Sequence, residues 1–383
     1  MQNNIKNLLP VGFQDIMPPS ASEEFSIVNK LINHFVKFGY EQIKPTMIEF
    51  EKNDASKLKK KQSPHYFLVM DPYSNEMVKI RSDMTVQIAR IARMQLSNVP
   101  RPLRLSYTGQ VLRATGSGLN AERQITQTGV EFIGSNDLRN STIEIISIAL
   151  SSFRELGLQN ISIDFNLAGF AEMIMQQDDI PSHKYSEIYN LIDNKDISAL
   201  SKTEYKSSKL LIDLINSAGS SDKSLDLLEK MELPERIKQN ILYLKEINIF
   251  IKENFENISV TIDPIERRGF EYHSDISFSI FSKENGEELG RGGHYDIGES
   301  VTEGAVGFTL NVNEISRIYN SSYKPKRILV DERTSLDILD SLHNEGFITV
   351  KYFSSDFENI DIKKIASELK CKFIFSEGNI TST

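Results

Sequence analysis

Residues 107–134, YTGQVLRATGSGLNAERQITQTGVEFIG, carry side chains whose types and spacing could bind a small charged molecule. With Ile125 to Ile133 extended, the strand period of two puts Arg123, Gln127 and Glu131 on one face, and Gly129 leaves open space between the last two. A cation, an amide and an anion then share one surface. Gln127 and Glu131 would stand about 13 Å apart at roughly 3.3 Å per residue, which suits a zwitterion bearing an amine or an imidazole. Arg113 would enter from the neighbouring strand. The competing reading is a solvent-facing strand surface, and only the rest of the chain separates the two.

Those side chains need a scaffold, and the flanking patterns predict one. Ser20 with Glu23 makes a capping-box pattern, and Phe25, Val28, Ile32 and Phe35 recur at helical spacing until Gly39 stops the helix. YEQIKPTMIEF then alternates, with Pro45 favouring an edge or interface strand. Residues 66–70 and 77–81 read as a strand pair around DPYSNE, and RSDMTVQIARIARMQL opens a helix with Asp83 and Thr85 at its start. Plain N-capping is the ordinary role for such residues. Asp137 to Gly157 is a second amphipathic helix, striped by Ile146, Ala149, Leu150 and Phe153. Strand signals at Ile161, Ile163 and Phe165 precede short charged helical segments, and they resume at Ile258, Val260 and Ile262 and at Ile276, Phe278 and Ile280. GRGGHYD, residues 290–296, is a glycine-rich approach ending on an aromatic and a carboxylate, and AVGFTLNVNEISRI leads into a closing helix. Beyond Pro325, strands and helices alternate over a short stretch. The main sheet is too irregularly interrupted for a doubly wound parallel fold, so a mixed or antiparallel α+β sheet is expected.

Composition narrows the function. The 383 residues suffice for two or three domains, and 39% hydrophobic with 25% charged residues is ordinary for a globular chain. No apolar run is long enough for a bilayer, and MQNNIKNLLPVG lacks a secretory pattern, so a cytoplasmic location is expected. Cys371 is the single cysteine, which excludes an internal disulfide and a cysteine-rich zinc module; six scattered histidines give no metal spacing. A net charge of −9 disfavours a broad nucleic-acid footprint, and the basic run Lys57 to Lys61 reads as a solvated loop.

Across residues 10–320 the motifs, in order, resemble the catalytic domain of class II histidyl-tRNA synthetases. PVGFQDIMP and GYEQIKP are similar to its N-terminal motif and dimer-forming motif 1, and LRATGSGLNAERQITQTGVEFIG to motif 2. RRGFEYHSDISFSIF and GRGGHYD resemble the two histidine signatures, and AVGFTLNVNEI resembles motif 3. The resemblance implies an antiparallel sheet flanked by helices. The expected division is a core over residues 1–167 and 258–322, a helical insertion over 168–257 and a small α/β domain over 323–383. It also implies an amino-acid pocket. Asp83 would hold the α-amino group where synthetases carry Glu, with Thr85 beside it; Gln127 and Arg268 would orient the carboxylate; Glu131 and Tyr272 or His273 would face the imidazole; Tyr295 would close the pocket. Arg113 is the residue that in synthetases serves mainly the α-phosphate. Each charged end of histidine needs a partner once desolvated, which this set supplies.

The nucleotide half departs from the synthetases. The motif 2 Glu is Thr115, the loop carries Gly116, Gly118, Leu119 and Ala121 in place of basic residues, the adenine-stacking aromatic is Ile125, and the motif 3 arginine is Glu314. Exchanging an attractive for a repulsive unit charge at about 4 Å and an effective dielectric of 20 moves a phosphate interaction by roughly 8 kcal/mol before screening. ATP binding is expected to fail. A histidine pocket beside a broken ATP site, with a short C-terminal tail, resembles the regulatory-subunit family of ATP phosphoribosyltransferase, and RSDMTVQIAR matches that family better than the synthetases' RPEGT type. The resemblance implies a non-catalytic, cofactor-free subunit that activates a short catalytic subunit at the first step of histidine biosynthesis. It would convey feedback inhibition by L-histidine and form a homodimer, without nucleic acid or membrane. A divergent active synthetase and an RNA-binding regulator are the alternatives.

Overall fold

The computed structural model describes residues 9–51, 66–115, 122–135, 137–266, 273–297, 303–319, 325–353 and 361–383. Arg268, Tyr272, the run Lys57 to Lys61 and the loop residues Gly116 to Ala121 lie outside them. The chain divides into two compact units, Met1–Tyr319 and Asn320–Thr383.

In the first unit α1 spans Ser20–Lys37 and buries Ile27, Leu31, His34 and Phe35. Its capping box does not form. Pro19 is the N-cap, and the amides of Ala21, Ser22 and Glu23 already reach the carbonyls of Met17 and Pro19, so no orphan donor is left for the Ser20 side chain. Gly39, at φ +81°, ends the helix as expected. The alternating segment that follows splits at Pro45 into β1 (Glu41–Gln42) and β2 (Ile48–Phe50), because a proline cannot donate to a ladder. β1 sits at the edge of the main sheet; β2 joins β3 (Leu68–Met70) and β4 (Met77–Ile80) in a separate three-stranded sheet. Next come α2 (Thr85–Met94), the ten-residue β5 (Leu103–Leu112) and β6 (Gln124–Ile133), α3 (Leu138–Glu155) and β7 (Ile161–Ala168). Asp137 caps α3, accepting from the Asn140 amide at 3.0 Å.

The segment after β7 is helical, with α4 (Phe170–Gln177), α5 (Tyr185–Asp193), α6 (Ile197–Leu200), α7 (Ser208–Ser217), a two-residue β8 (Gly219–Ser220), α8 (Ser221–Leu228) and α9 (Glu235–Asn254). β9 (Ser259–Ile262), β10 (Ser274–Ser282), β11 (Glu288–Asp296), β12 (Gly304–Asn311) and α10 (Val312–Ile318) complete the unit. GRGGHYD is therefore the body of a strand: its glycines let β10 and β12 pack closely on either side.

The main sheet runs β1-β5-β6-β12-β11-β10-β7-β9-β8, antiparallel through its centre from β5 to β7. Its two faces differ in kind. Val130, Phe132, Phe165, Phe278 and Phe308 point to α1 and α3 and form the main apolar core, each large side chain contributing about 1.5–3 kcal/mol by burial. Residues of the other parity, including Tyr107, Ile125, Ile133, Tyr295 and Ala305, face α2 with Met84 and Ile88. That second face also carries the polar residues.

In the second unit β13 (Lys326–Asp331), α11 (Leu336–Asn344), β14 (Phe347–Tyr352), α12 (Ile362–Glu368), β15 (Phe373–Ser376) and β16 (Asn379–Ser382) form a sheet of order β14-β13-β15-β16. Ile328 and Val330 pack with α11 residues Leu339 and Leu342, whereas Leu329 packs with Ala366 of α12, so alternate residues of β13 serve opposite faces.

Candidate functional site

Glu131 is the centre of the polar face. It lies opposite Leu105 on β5 and Gly307 on β12; Gly307 pairs with Gly293 of β11, Gly293 with Ser277 of β10, and Ser277 with Asn166 of β7. Two adjacent strands thus add no side chain between Glu131 and Ser277. The room those glycines leave is taken by neighbours: a Cβ at Gly307 would overlap the Glu131 carboxylate, and one at Gly293 would lie 2.7 Å from the Ser277 Cβ.

Three hydroxyls converge on the carboxylate. Thr85 donates to Oε1 at 2.8 Å, Tyr107 to Oε1 at 3.2 Å and Tyr295 to Oε2 at 2.8 Å. Tyr107 also bonds Thr309 at 2.6 Å. Glu131 is 1% exposed. Burial pushes its carboxyl up to about 8; the hydroxyls pull the other way, and the nearby Asp83 charge adds to the rise. Burial, with the Glu131 charge next, raises the phenols of Tyr107 and Tyr295 well above their ordinary value, so both remain donors. A buried, hydroxyl-lined acid of this kind has the chemistry to accept a further hydrogen bond from a small donor group such as an imidazole N–H.

The N-capping role read for Thr85 is not what the fold uses. Met84 is the N-cap of α2 without any side-chain cap bond, and Thr85 turns its hydroxyl to Glu131. The Met84 amide instead donates to Gln127 Oε1 at 3.3 Å, which ties the start of α2 to β6 and leaves the Gln127 amide group as a donor. Thr85, Gln127, Glu131 and Tyr295 are thereby brought together, and Asp83 lies within electrostatic reach of Glu131. His273 lies near Arg291 and His294, which join burial in lowering its imidazole to about 3, so it is neutral. Arg113 continues β5 eight positions beyond Leu105, about 26 Å along the strand from the residue opposite Glu131.

Arg123, just before β6, is taken up by other partners than a ligand. Its guanidinium lies 5.1 Å from the Phe13 ring centre and 4.8 Å from that of Phe67, and it donates to Val11 and Arg113 carbonyls at 3.1 Å. It pins the N-terminal segment to the start of β6. Ile125 is packed into the apolar cluster under α2.

At the nucleotide end, Glu314 does not stand as a bare charge. It pairs with Arg317, which also bonds Glu122 at 2.6 Å; Gln14 and Asn313 donate to Glu122 at 3.0 and 3.1 Å. Burial raises the Glu314 carboxyl, with Arg317 opposing. Two carboxylates thus share one guanidinium, so the repulsion toward a phosphate is smaller than for an isolated Glu314 and the sign is unchanged. Among the described residues no group of three or more His, Cys, Asp or Glu could hold a metal ion, and no helix is long and apolar enough to cross a membrane.

Sequence reasoning missed Tyr107, Thr309, Gly307 and Arg317. Tyr107 stands opposite Gly129, and that cross-strand pairing is invisible until the register is known.

The histidyl-tRNA synthetase family pattern matches residues 12–315. An ATP phosphoribosyltransferase regulatory subunit of Rhodospirillum centenum is 33% identical, over 97% of this chain and 95% of the relative. The chain belongs to the ATP phosphoribosyltransferase regulatory subunits, a family built on the histidyl-tRNA synthetase domain. It falls with subunits named regulatory rather than catalytic. Its fold recurs in a Bacillus halodurans regulatory subunit/histidyl-tRNA synthetase, at TM-score 0.77 and 17% identity over 96% of this chain and 97% of that one. It recurs also in a chain of the HisG:HisZ complex of Thermotoga maritima, at TM-score 0.57 and 21% identity over 76% and 97%.

Proposed function

We propose that this subunit partners a short catalytic subunit of ATP phosphoribosyltransferase in the cytoplasm, activates it at the first step of histidine biosynthesis, and conveys feedback inhibition by L-histidine. The contrast between the two half-sites carries the reading: a buried, hydroxyl-lined Glu131 at one end, and at the other a nucleotide end where Glu122 and Glu314 compete for Arg317. Such a site takes an amino acid and disfavours a triphosphate. The occurrence of this fold in the Thermotoga maritima complex suggests that the catalyst is a separate polypeptide. Histidine would act by binding the states of the complex with different affinities, since equal affinity shifts nothing.

Phosphoribosyl transfer measured with each subunit alone, with both, and with both plus L-histidine tests this. Activity should rise when this chain is added, and histidine should lower it only in its presence. Unchanged activity on mixing, or histidine-dependent ATP–pyrophosphate exchange by this chain alone, would overturn the proposal.

A further inference from the structure

The start of β10 is held from outside the sheet. Asp275 has φ +55°, a left-handed conformation uncommon for non-glycine residues, though Asp adopts it more readily than most. Ser274 pairs with His294 and Ser277 with Gly293, so Asp275 and Ile276 have no partner on β11, although both still pair with β7. The extra residues make a bulge next to the Ser277–Gly293 pair, and a bulge re-aims the side chains next to it. Its fixing partners come from α9. Asp275 Oδ1 accepts from Arg236 Nη2 at 2.8 Å and Nε at 3.2 Å, and from Asn240 Nδ2 at 3.2 Å. Just past β9 another part of the helical insertion reaches the sheet: Lys195, between α5 and α6, pairs with Asp263 at 3.0 Å, and the Asp263 amide bonds the Phe165 carbonyl at 2.9 Å.

We propose that Arg236 and Asn240 are positioning residues: by holding the Asp275 bulge they set the course of β10 from His273 to Ser277, and so shape the β10 side of the polar face that carries Glu131. An exposed ion pair by itself adds little stability. Here three donors on one carboxylate oxygen restrain a backbone that would otherwise relax, so the effect is one of geometry. A helical segment remote from Glu131 thereby acts on the pocket, and only the ligand measurement below rests on reading that pocket as a histidine site.

The test follows the imidazole signals of His273 and His294 by NMR in the full-length protein, with L-histidine affinity by calorimetry. Arg236→Ala should move both signals and weaken L-histidine about 3- to 10-fold. Asp275→Gly, which removes the Oδ1 acceptor and tolerates the left-handed backbone, should do the same, and the double variant should be no worse than Asp275→Gly alone, because both changes break one contact. Should Arg236→Ala fail to fold, Arg236→Lys and Asn240→Ala report on the same signals. Unmoved signals in these variants, or additive effects in the double, would overturn the inference. A wild-type protein that binds no L-histidine while the signals still move would defeat the ligand reading and leave the clamp standing.

Discussion

Tyr295 on β11 reaches across the whole of β12 to donate to Glu131 on β6, at 2.8 Å. The bond is possible because Gly307 of β12, directly opposite Glu131, has no side chain; a Cβ there would overlap Glu131 Oε2. Gly307→Ala must therefore push the carboxylate out of its hydroxyl cage. We expect L-histidine affinity to fall roughly tenfold or more, with the cost of overpacking at about 1–3 kcal/mol, and calorimetry on the purified variant reads it. Wild-type affinity in Gly307→Ala would show that the cage is not part of the binding site.

Glu131→Ala should weaken L-histidine more than Arg113→Ala. Glu131 sits among the three hydroxyls, whereas Arg113 lies far along β5, beside the strand end that pairs with Gln124. Losing a hydrogen-bond partner of a buried ligand group costs roughly 1–3 kcal/mol, about 5- to 150-fold in affinity. Equal losses in the two variants, or a larger one for Arg113→Ala, would contradict the assignment.

The raised carboxyl of Glu131 makes a pH-dependent contribution to stability. Its folded value of about 8 stands above the ordinary 4.5, so the folded state holds the proton more tightly; the contribution is complete below about 4.5 and is lost as pH rises through 8. Glu131→Gln has no such proton to lose. Urea denaturation at several pH values should therefore show the Gln variant gaining on the wild type between about pH 5 and 8.5, by on the order of a few kcal/mol. A pH-independent difference would mean that Glu131 titrates normally.

Homodimer formation is expected through the segment that follows α1. Phe25 and Val36 of α1 are 68% and 57% exposed, and Met47 and Ile48 beside Pro45 are 39% and 51% exposed. Apolar surface next to a strand edge is an association hazard that a two-fold copy of the same surface would cover. Wild-type protein should sediment at twice 43.6 kDa, and Met47→Glu or Ile48→Glu should return it to a single chain. A wild type already at one-chain mass at micromolar concentration would place no self-association here.

What the sequence determined on its own is local or periodic. α1, α3, the strand pair β5 and β6, and the alternation in the C-terminal unit follow from apolar spacing and punctuation, which act within a few residues. The motif order was enough for the family, and the parity of β6 was enough to put Gln127 and Glu131 on one face. The tertiary structure decided what each polar group does there. Thr85 could cap a helix or bond Glu131, and Arg123 could line the pocket or lie over Phe13 and Phe67. Those choices depend on partners far away in the chain: Glu131 lies 46 residues from Thr85 and 164 from Tyr295; the register of β6, β12 and β11 brings Tyr295 to it, and the packing of α2 on that face brings Thr85. A side chain's partner is set by strand pairing and burial, and neither is written in its neighbours' spacing.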